Sequence, residues 1–275
     1  MTFSFAPHAD GRPQIMGIVN VTPDSFSDGG RFIDRQQAVA HGLKLVDQGA
    51  DWLDIGGEST RPGSDPVSSD DEYARVVPVI EDLIAARPGL QISIDTMKPE
   101  IAQAAVSAGA RLWNDVNALR APGALDMAAQ LGVPICLMHM QGAPKTMQDQ
   151  PVYEDVVSEV ARYLGQRAGA ALAHGVAREQ ILLDPGIGFG KTLAHNLKLL
   201  RALDHFTGLG FPILFGASRK RFIHAIDDSA VDATDRIGGS IAAALHAAQV
   251  GCALIRVHDV RETRQALMVQ AVLAD

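Results

Sequence analysis

Cysteine is scarce in this chain, and so is any surplus of positive charge. The two cysteines in 275 residues, Cys136 and Cys252, each sit in an apolar stretch without CxxC spacing. That argues against a disulfide framework and reads as small core side chains kept reduced. The formal charge of -8 argues against a general nucleic-acid binder, because such proteins hold phosphates with a broad excess of lysine and arginine. Any anion must be caught by a local cluster. No apolar run approaches the roughly 18 residues of a membrane span, and the amino terminus, MTFSFAPHADGRP, lacks the charged start and apolar centre of a signal peptide. The expectation is a soluble, cytoplasmic protein. The nine histidines show no HxH or HExxH spacing, so a zinc site lacks support.

Also missing is any composition shift or Ser/Pro-rich linker, and with 47% hydrophobic content one large core is the simplest reading. What is present is a recurring unit: an amphipathic segment, a glycine, then a short β-rich run, as in QGADWLDIGG, AGARLWNDV, LGVPICLMHM, HGVAREQILLDPG and VGCALIRVHD. Gly49, Gly109, Gly132, Gly175 and Gly251 stand where helices should stop, since a helix commonly ends through a left-handed residue. The segments before them carry helical periodicity, for example Val39, Leu43, Val46 and Ala50. The runs after them are apolar on both sides, as strands covered on both faces are. Strands are predicted near residues 14 to 20, 51 to 57, 91 to 96, 111 to 116, 134 to 140, 181 to 185, 212 to 217 and 252 to 258, each followed by a helix. This alternation predicts an α/β fold, a single-domain (β/α)8 barrel over residues 14–275 behind an extension of residues 1–13, with a doubly wound open sheet as runner-up. The first helix is expected to start near Asp34 and the last near Asp259, where Asp-Val-Arg-Glu loosely matches a capping box.

The predicted strands finish in Asn20, Asp54 with Glu58, Asp95, Asn114 with Asp115, His139, Asp184, Ser218 with Lys220, and Arg256 with His258. Burying one unpaired polar group costs about 1–3 kcal/mol, so folding alone would not collect them at one rim. In a barrel that rim carries the active site. Some of these residues should instead cap helices or pair with one another, and Asp54, Asp115 and His139 are the leading candidates for that role. Strand parity places Arg256 and His258 on one side, ahead of a helix start that favours anions, and turns Asp95 inward.

GIGFGKT, Gly186 to Thr192, nearly spells a P-loop, but Pro185 occupies the place of the first glycine and Asp184 would stand beside any phosphate. The glycines are expected instead to let backbone pass close to a flat ligand above Asp184. Ser218-Arg219-Lys220-Arg221 resembles a nucleic-acid patch, yet its place at a strand end points to an anion or carbonyl contact. A magnesium site needs only one or two protein oxygen ligands, and Asn20 can supply one.

Together NVTPDSFSDGG (Asn20 to Gly30), DIGGESTRPG (Asp54 to Gly63), DPGIGFGK (Asp184 to Lys191), SRK (Ser218 to Lys220) and RVHD (Arg256 to Asp259) closely resemble the bacterial dihydropteroate synthase family, from about residue 14 to the end. The resemblance implies a homodimeric TIM barrel in folate synthesis that is a sulfonamide target. It implies joining p-aminobenzoate to the methylene carbon of 6-hydroxymethyl-7,8-dihydropterin diphosphate, with Mg2+ present, to give 7,8-dihydropteroate and pyrophosphate. Carried over by motif, Asp184, Asn114 and Lys220 hold the pterin and Asp95 sits by its reduced ring. Arg256, His258 and Asn20 with its Mg2+ grip the diphosphate, and Thr60 also belongs to the pterin diphosphate site. Arg61, Pro62, Phe189 and Ser218, with Thr60 and Lys220, frame the aminobenzoate pocket. Residues 22–32 and 59–67 should close over the substrates. Two departures stand out: Arg221 replaces the Ser of many relatives at the aminobenzoate carboxylate, and Ile187 replaces the Phe of some. A methyl-carrier pterin-binding barrel would share Asp95, Asn114 and Asp184 but has no use for the diphosphate grip or for Thr60 to Gly63. A P-loop nucleotide enzyme is the weaker rival.

Overall fold

The computed structural model describes residues 5–22, 30–60 and 63–274. Its strands are β1 (Gln14–Asn20), β2 (Trp52–Gly56), β3 (Gln91–Asp95), β4 (Leu112–Asp115), β5 (Ile135–Met138), β6 (Ile181–Asp184), β7 (Leu214–Phe215) and β8 (Leu254–Val257). Between and after them run helices α1 (Gly30–Asp47), α2 (Ser69–Ala86), α3 (Pro99–Ser107), α4 (Ala124–Leu131), α5 (Val156–Ala173), α6 (Leu193–Arg201), α7 (Leu203–Thr207), α8 (Arg221–His224), α9 (Ile237–Gln249) and α10 (Val260–Ala274). Every strand pair is parallel, the order is β6-β5-β4-β3-β2-β1-β8-β7, and a bridge between Leu183 and Ile213 brings β6 to β7. That last bridge closes the sheet and excludes the open doubly wound alternative.

The glycine punctuation has its physical basis in the backbone. Gly49, Gly109 and Gly132 have φ of +101°, +117° and +62°, a region where a Cβ is strained. The first helix begins at Gly30 rather than near Asp34. Strand β7 is shorter than expected, because Pro212 has no N–H to give the ladder.

Strand register divides the side chains into two sets. Met16 pairs Trp52, Cys136 pairs Leu182 and Leu214 pairs Leu254. These residues, with Leu112 and the ring of Phe5, form one apolar cluster inside the lower barrel. Phe5 stacks on Trp52 at 5.8 Å, so the amino-terminal segment covers the barrel floor. The alternate residues, among them Ile15, Leu53, Ile92, Ile135, Leu183 and Ile255, join the helices in a second, larger core. Two residues further up the columns of Trp52, Leu112, Leu182 and Leu254, apolar side chains give way to Asp54, Asn114, Asp184 and Arg256. The interior is therefore apolar below and polar at the carboxyl ends of the strands, where a barrel places its chemistry.

Candidate functional site

Arg256 occupies the middle of the polar layer. Its Nε donates to Asp54 Oδ2 at 2.6 Å and its Nη2 to Asp95 Oδ2 at 2.9 Å. Asn114 Nδ2 donates to the same Asp54 oxygen at 3.1 Å. Asp54 is thus paired, as its strand-end position suggested, but with site residues: it fixes both the guanidinium and the amide. Removing one partner of such a buried pair typically costs about 3–5 kcal/mol. Burial opposes the Arg256 charge, and the carboxylates of Asp54 and Asp95 outweigh it. Burial first, and the Asp54 charge second, raise Asp95 above the ordinary carboxylate range against the pull of Arg256.

Two inward positions at this level carry no side chain. A Cβ on Gly56 would lie 3.6 Å from Asp95 Cβ and 3.9 Å from Asn20 Oδ1, and one on Gly216 would lie 3.8 Å from Arg256 and 4.0 Å from Asp184 Oδ2. Asn20, Asp95, Arg256 and Asp184 therefore converge around space that glycine leaves open. Inward glycines on strand parity were the available signal for this, and sequence reading passed over them.

Asp184 is buried, and its Oδ1 accepts from the Gly186 N–H at 2.7 Å. Burial raises its pKa and Lys220 opposes the rise. Lys220 Nζ donates to the Ile187 carbonyl and stands 4.7 Å from the Phe189 ring centroid. Burial lowers the Lys220 pKa to about 8, with Asp184 holding it up. The expectation that the glycines of this turn make way for a flat ligand is corrected at Gly186 and Gly190. A Cβ on Gly186 would meet the His139 carbonyl at 2.0 Å and one on Gly190 the Gln141 carbonyl at 2.5 Å, so both make room for neighbouring backbone. Lys191, the residue a P-loop would aim at phosphate, is buried beneath the turn.

Ser218 Oγ and His258 Nδ1 are 3.0 Å apart, which joins the ends of β7 and β8. Between Ser218 and Lys220, Arg219 takes φ +59° and clasps Asp259 through Nε at 2.9 Å and Nη2 at 2.5 Å. Both Asp259 oxygens hold this guanidinium, and α10 starts at Val260, one residue on, near the expected Asp259. Arg221 is exposed at the start of α8. Thr60 is half-buried at the end of the described part of its loop; Arg61 and Pro62 lie outside the described residues, as does most of the 22–32 loop. Beyond the break, Gly63 N donates to the Pro144 carbonyl at 3.3 Å and Lys145 pairs with Asp65 at 2.7 Å.

Asp115 and His139 face outward. Asp115 accepts from the N–H groups of Asn117 and Leu119 at 2.7 and 2.6 Å and holds that turn, with burial raising its pKa to about 6. Sequence reading missed the buried Glu72, which with Glu58 shares the ammonium of Lys98 and so ties α2 and α3 to the end of β2. For a divalent cation, the described residues contain no cluster of three acidic, His or Cys ligands. The Asn20 carbonyl beside Asp95 is a hard oxygen donor, which fits a magnesium ion that takes its other ligands from water and a substrate diphosphate.

The family model described as pterin binding enzyme matches residues 16–258. The chain is 48% identical to the dihydropteroate synthase of Escherichia coli (strain K12), over 95% of this chain and 92% of that protein. It is similar to a Xanthomonas albilineans dihydropteroate synthase solved with 4-aminobenzoic acid, at 54% identity and TM-score 0.90 over 96% and 94% of the two chains. It is also similar to a structure from the same organism in complex with 7,8-dihydropteroate, at 50% identity and TM-score 0.87 over 97% and 96%. A Yersinia pestis dihydropteroate synthase in a sulfonamide drug complex matches at 46% identity and TM-score 0.90, over 96% and 95%.

Proposed function

The chain belongs to the pterin binding enzyme family, among the dihydropteroate synthases, and from that premise we propose how its own residues carry the reaction. It is a transferase that joins p-aminobenzoate to the methylene carbon of 6-hydroxymethyl-7,8-dihydropterin diphosphate. The bond from that carbon to the diphosphate oxygen breaks first and its electron pair leaves with the pyrophosphate. The amine lone pair then forms the C–N bond, and the nitrogen releases one proton to solvent.

The observation that carries this reading is Arg256 lying between Asp54 and Asp95 and beside Asp184 across Gly216. A guanidinium suited to a departing diphosphate adjoins carboxylates suited to the cation that departure creates. Asp184 accepts from the amino and ring N–H groups of the pterin, Asn114 pairs its amide edge, and Lys220 donates to its carbonyl. Arg256 and His258 take the diphosphate. Magnesium, held by Asn20 and the diphosphate, supplies charge neutralisation of the leaving group when bound. Thr60, Arg61, Pro62, Phe189, Ser218 and Lys220 form the aminobenzoate pocket, and the exposed Arg221 takes the place of a hydroxyl as partner for its carboxylate. Sulfonamides are expected to compete there. Residues 22–32 and 59–67 exclude the water that would otherwise capture the cation. Among the described residues both cysteines are free and buried and no helix is long and apolar enough to cross a membrane, which supports placing the enzyme in the cytoplasm.

The test mixes protein, Mg2+, the pterin diphosphate and p-aminobenzoate and follows pyrophosphate. Fast release with the amine and slow release without it are expected. No release under either condition would show the reading to be wrong.

A further inference from the structure

Lys191 has no task in the reaction as described, yet its surroundings are built around its amine. It is 3% exposed. Its Nζ lies 2.8 Å from the Gly186 carbonyl oxygen, 2.9 Å from that of Phe189, 3.2 Å from that of His139 and 3.0 Å from His139 Nδ1. Burial first, then the charge of Lys191, lower the His139 pKa to about 3, so the ring is neutral. An apolar side chain of similar length would fill the same space and leave several buried acceptors without a donor.

The carbonyls of this turn are shared between two lysines on its opposite sides. Those of Gly186 and Phe189 point down to Lys191, and that of Ile187 points up to Lys220. The Phe189 N–H closes on the Gly186 carbonyl at 3.1 Å, and the Gly188 N–H is held by Asn196 Oδ1 at 2.7 Å. The Lys220 stem passes over Gly188, where a Cβ would lie 3.2 Å from its Cδ. Fixing the peptides on either side of Ile187 fixes the direction of the Ile187 carbonyl, which is the acceptor that holds the Lys220 ammonium.

We infer that Lys191 is a positioning residue: it staples the 186–191 turn to the end of β5 and thereby sets the Ile187 carbonyl and the Phe189 ring that hold Lys220 over the substrates. This rests on the synthase reading, in which Phe189 and Lys220 line the aminobenzoate pocket. Lys191→Met keeps length and removes every donor. The expected result is a rise of about tenfold in the KM for p-aminobenzoate, the size of one lost hydrogen bond to a charged group, with a smaller change in kcat. In a Phe189→Ala background the same substitution should raise that KM by a smaller factor, because one of the two holds on Lys220 is already gone and only the Ile187 carbonyl is left to misplace. An unchanged KM with kcat reduced only in proportion to the folded fraction would overturn the assignment. Should Lys191→Met fail to fold, His139→Ala removes one of the four acceptors and is expected to raise the same KM by a smaller factor; no rise counts against the staple.

If the wild-type protein releases no pyrophosphate, the functional reading fails by itself. The staple is then read from the rate at which an amine-specific acylating reagent labels Lys220. Faster labelling in Lys191→Met, or in His139→Ala if that is the variant that folds, supports it, and an unchanged rate overturns it.

Discussion

At Lys220 burial and recognition pull in opposite directions. Binding a carbonyl needs the ammonium, and burial lowers its pKa to about 8 while Asp184 resists. The charged form is therefore present below about pH 8 and is lost as pH rises through that value. The kcat/KM for the pterin diphosphate reports groups of the free enzyme, so it should fall on the alkaline side with a midpoint near 8. Lys220→Arg keeps the cation at all working pH and should remove that limb while lowering the plateau, because a planar fork replaces a point charge. A limb that persists unchanged in the variant would assign it to another group. On the acid side the sign is reversed. Asp95 is raised by burial and by Asp54, so its negative charge is lost as pH falls through a value above the ordinary carboxylate range, and Asp95→Asn should abolish that limb together with most turnover.

Strand ends are the elements that had to agree, and β7 and β8 show how they do. Ser218 and Lys220 face the site only because Arg219 takes a left-handed φ of +59°, which in a residue with a Cβ costs about 1–3 kcal/mol unless neighbours impose it. The neighbours are Asp259, clasping its guanidinium, Ser240, accepting from its N–H at 2.8 Å, and Arg236, donating to its carbonyl at 3.0 Å. Asp259→Ala should therefore weaken diphosphate binding and turnover about tenfold or more although Asp259 is not assigned to any substrate, and Arg219→Asp combined with Asp259→Arg should restore part of it. Full activity in Asp259→Ala, or an exchanged pair that recovers nothing of the loss, would remove the clasp from the argument. Parity along one strand made Arg256, His258 and Asp95 legible in the sequence, because period two is a local property. The partner of Arg256 was not legible: Asp54 lies 202 positions away, and only closure of the barrel makes them neighbours. The same holds for Lys98 with its two glutamates and for Gly186 and Gly190, which answer to the backbone of residues 139 and 141. Strand order was legible throughout, since helix-stopping glycines and apolar runs are read within a few residues; the short extra helices α7 and α8 were not.

Across the whole molecule the two ends of the barrel have separate tasks, and its outer wall has a third. The floor is sealed by Phe5 on Trp52 and the rim carries the chemistry, while α10 turns an apolar row to the outside: Met268, Val269, Val272 and Leu273 are 41%, 55%, 76% and 81% exposed. Spacings of three and four put them on one helical face, and Val269 and Leu273, with Ile241 and Leu245 of α9, border a groove. A row of this kind on a small enzyme calls for a cover. A second copy of the chain is the proposed one, because a two-fold axis through the α9–α10 face would set each row against its twin. The expected species in sedimentation is twice 29.2 kDa. Val269→Glu with Val272→Asp should shift it to 29.2 kDa, since paired like charges would then be buried across the axis. The pterin site should survive in that monomer, because Asp95, Asn114, Asp184, Lys220 and Arg256 all come from one barrel and their hydrogen bonds do not involve α10. A wild-type protein that stays monomeric at every concentration, or a double variant that remains a dimer, would place the contact elsewhere or remove it.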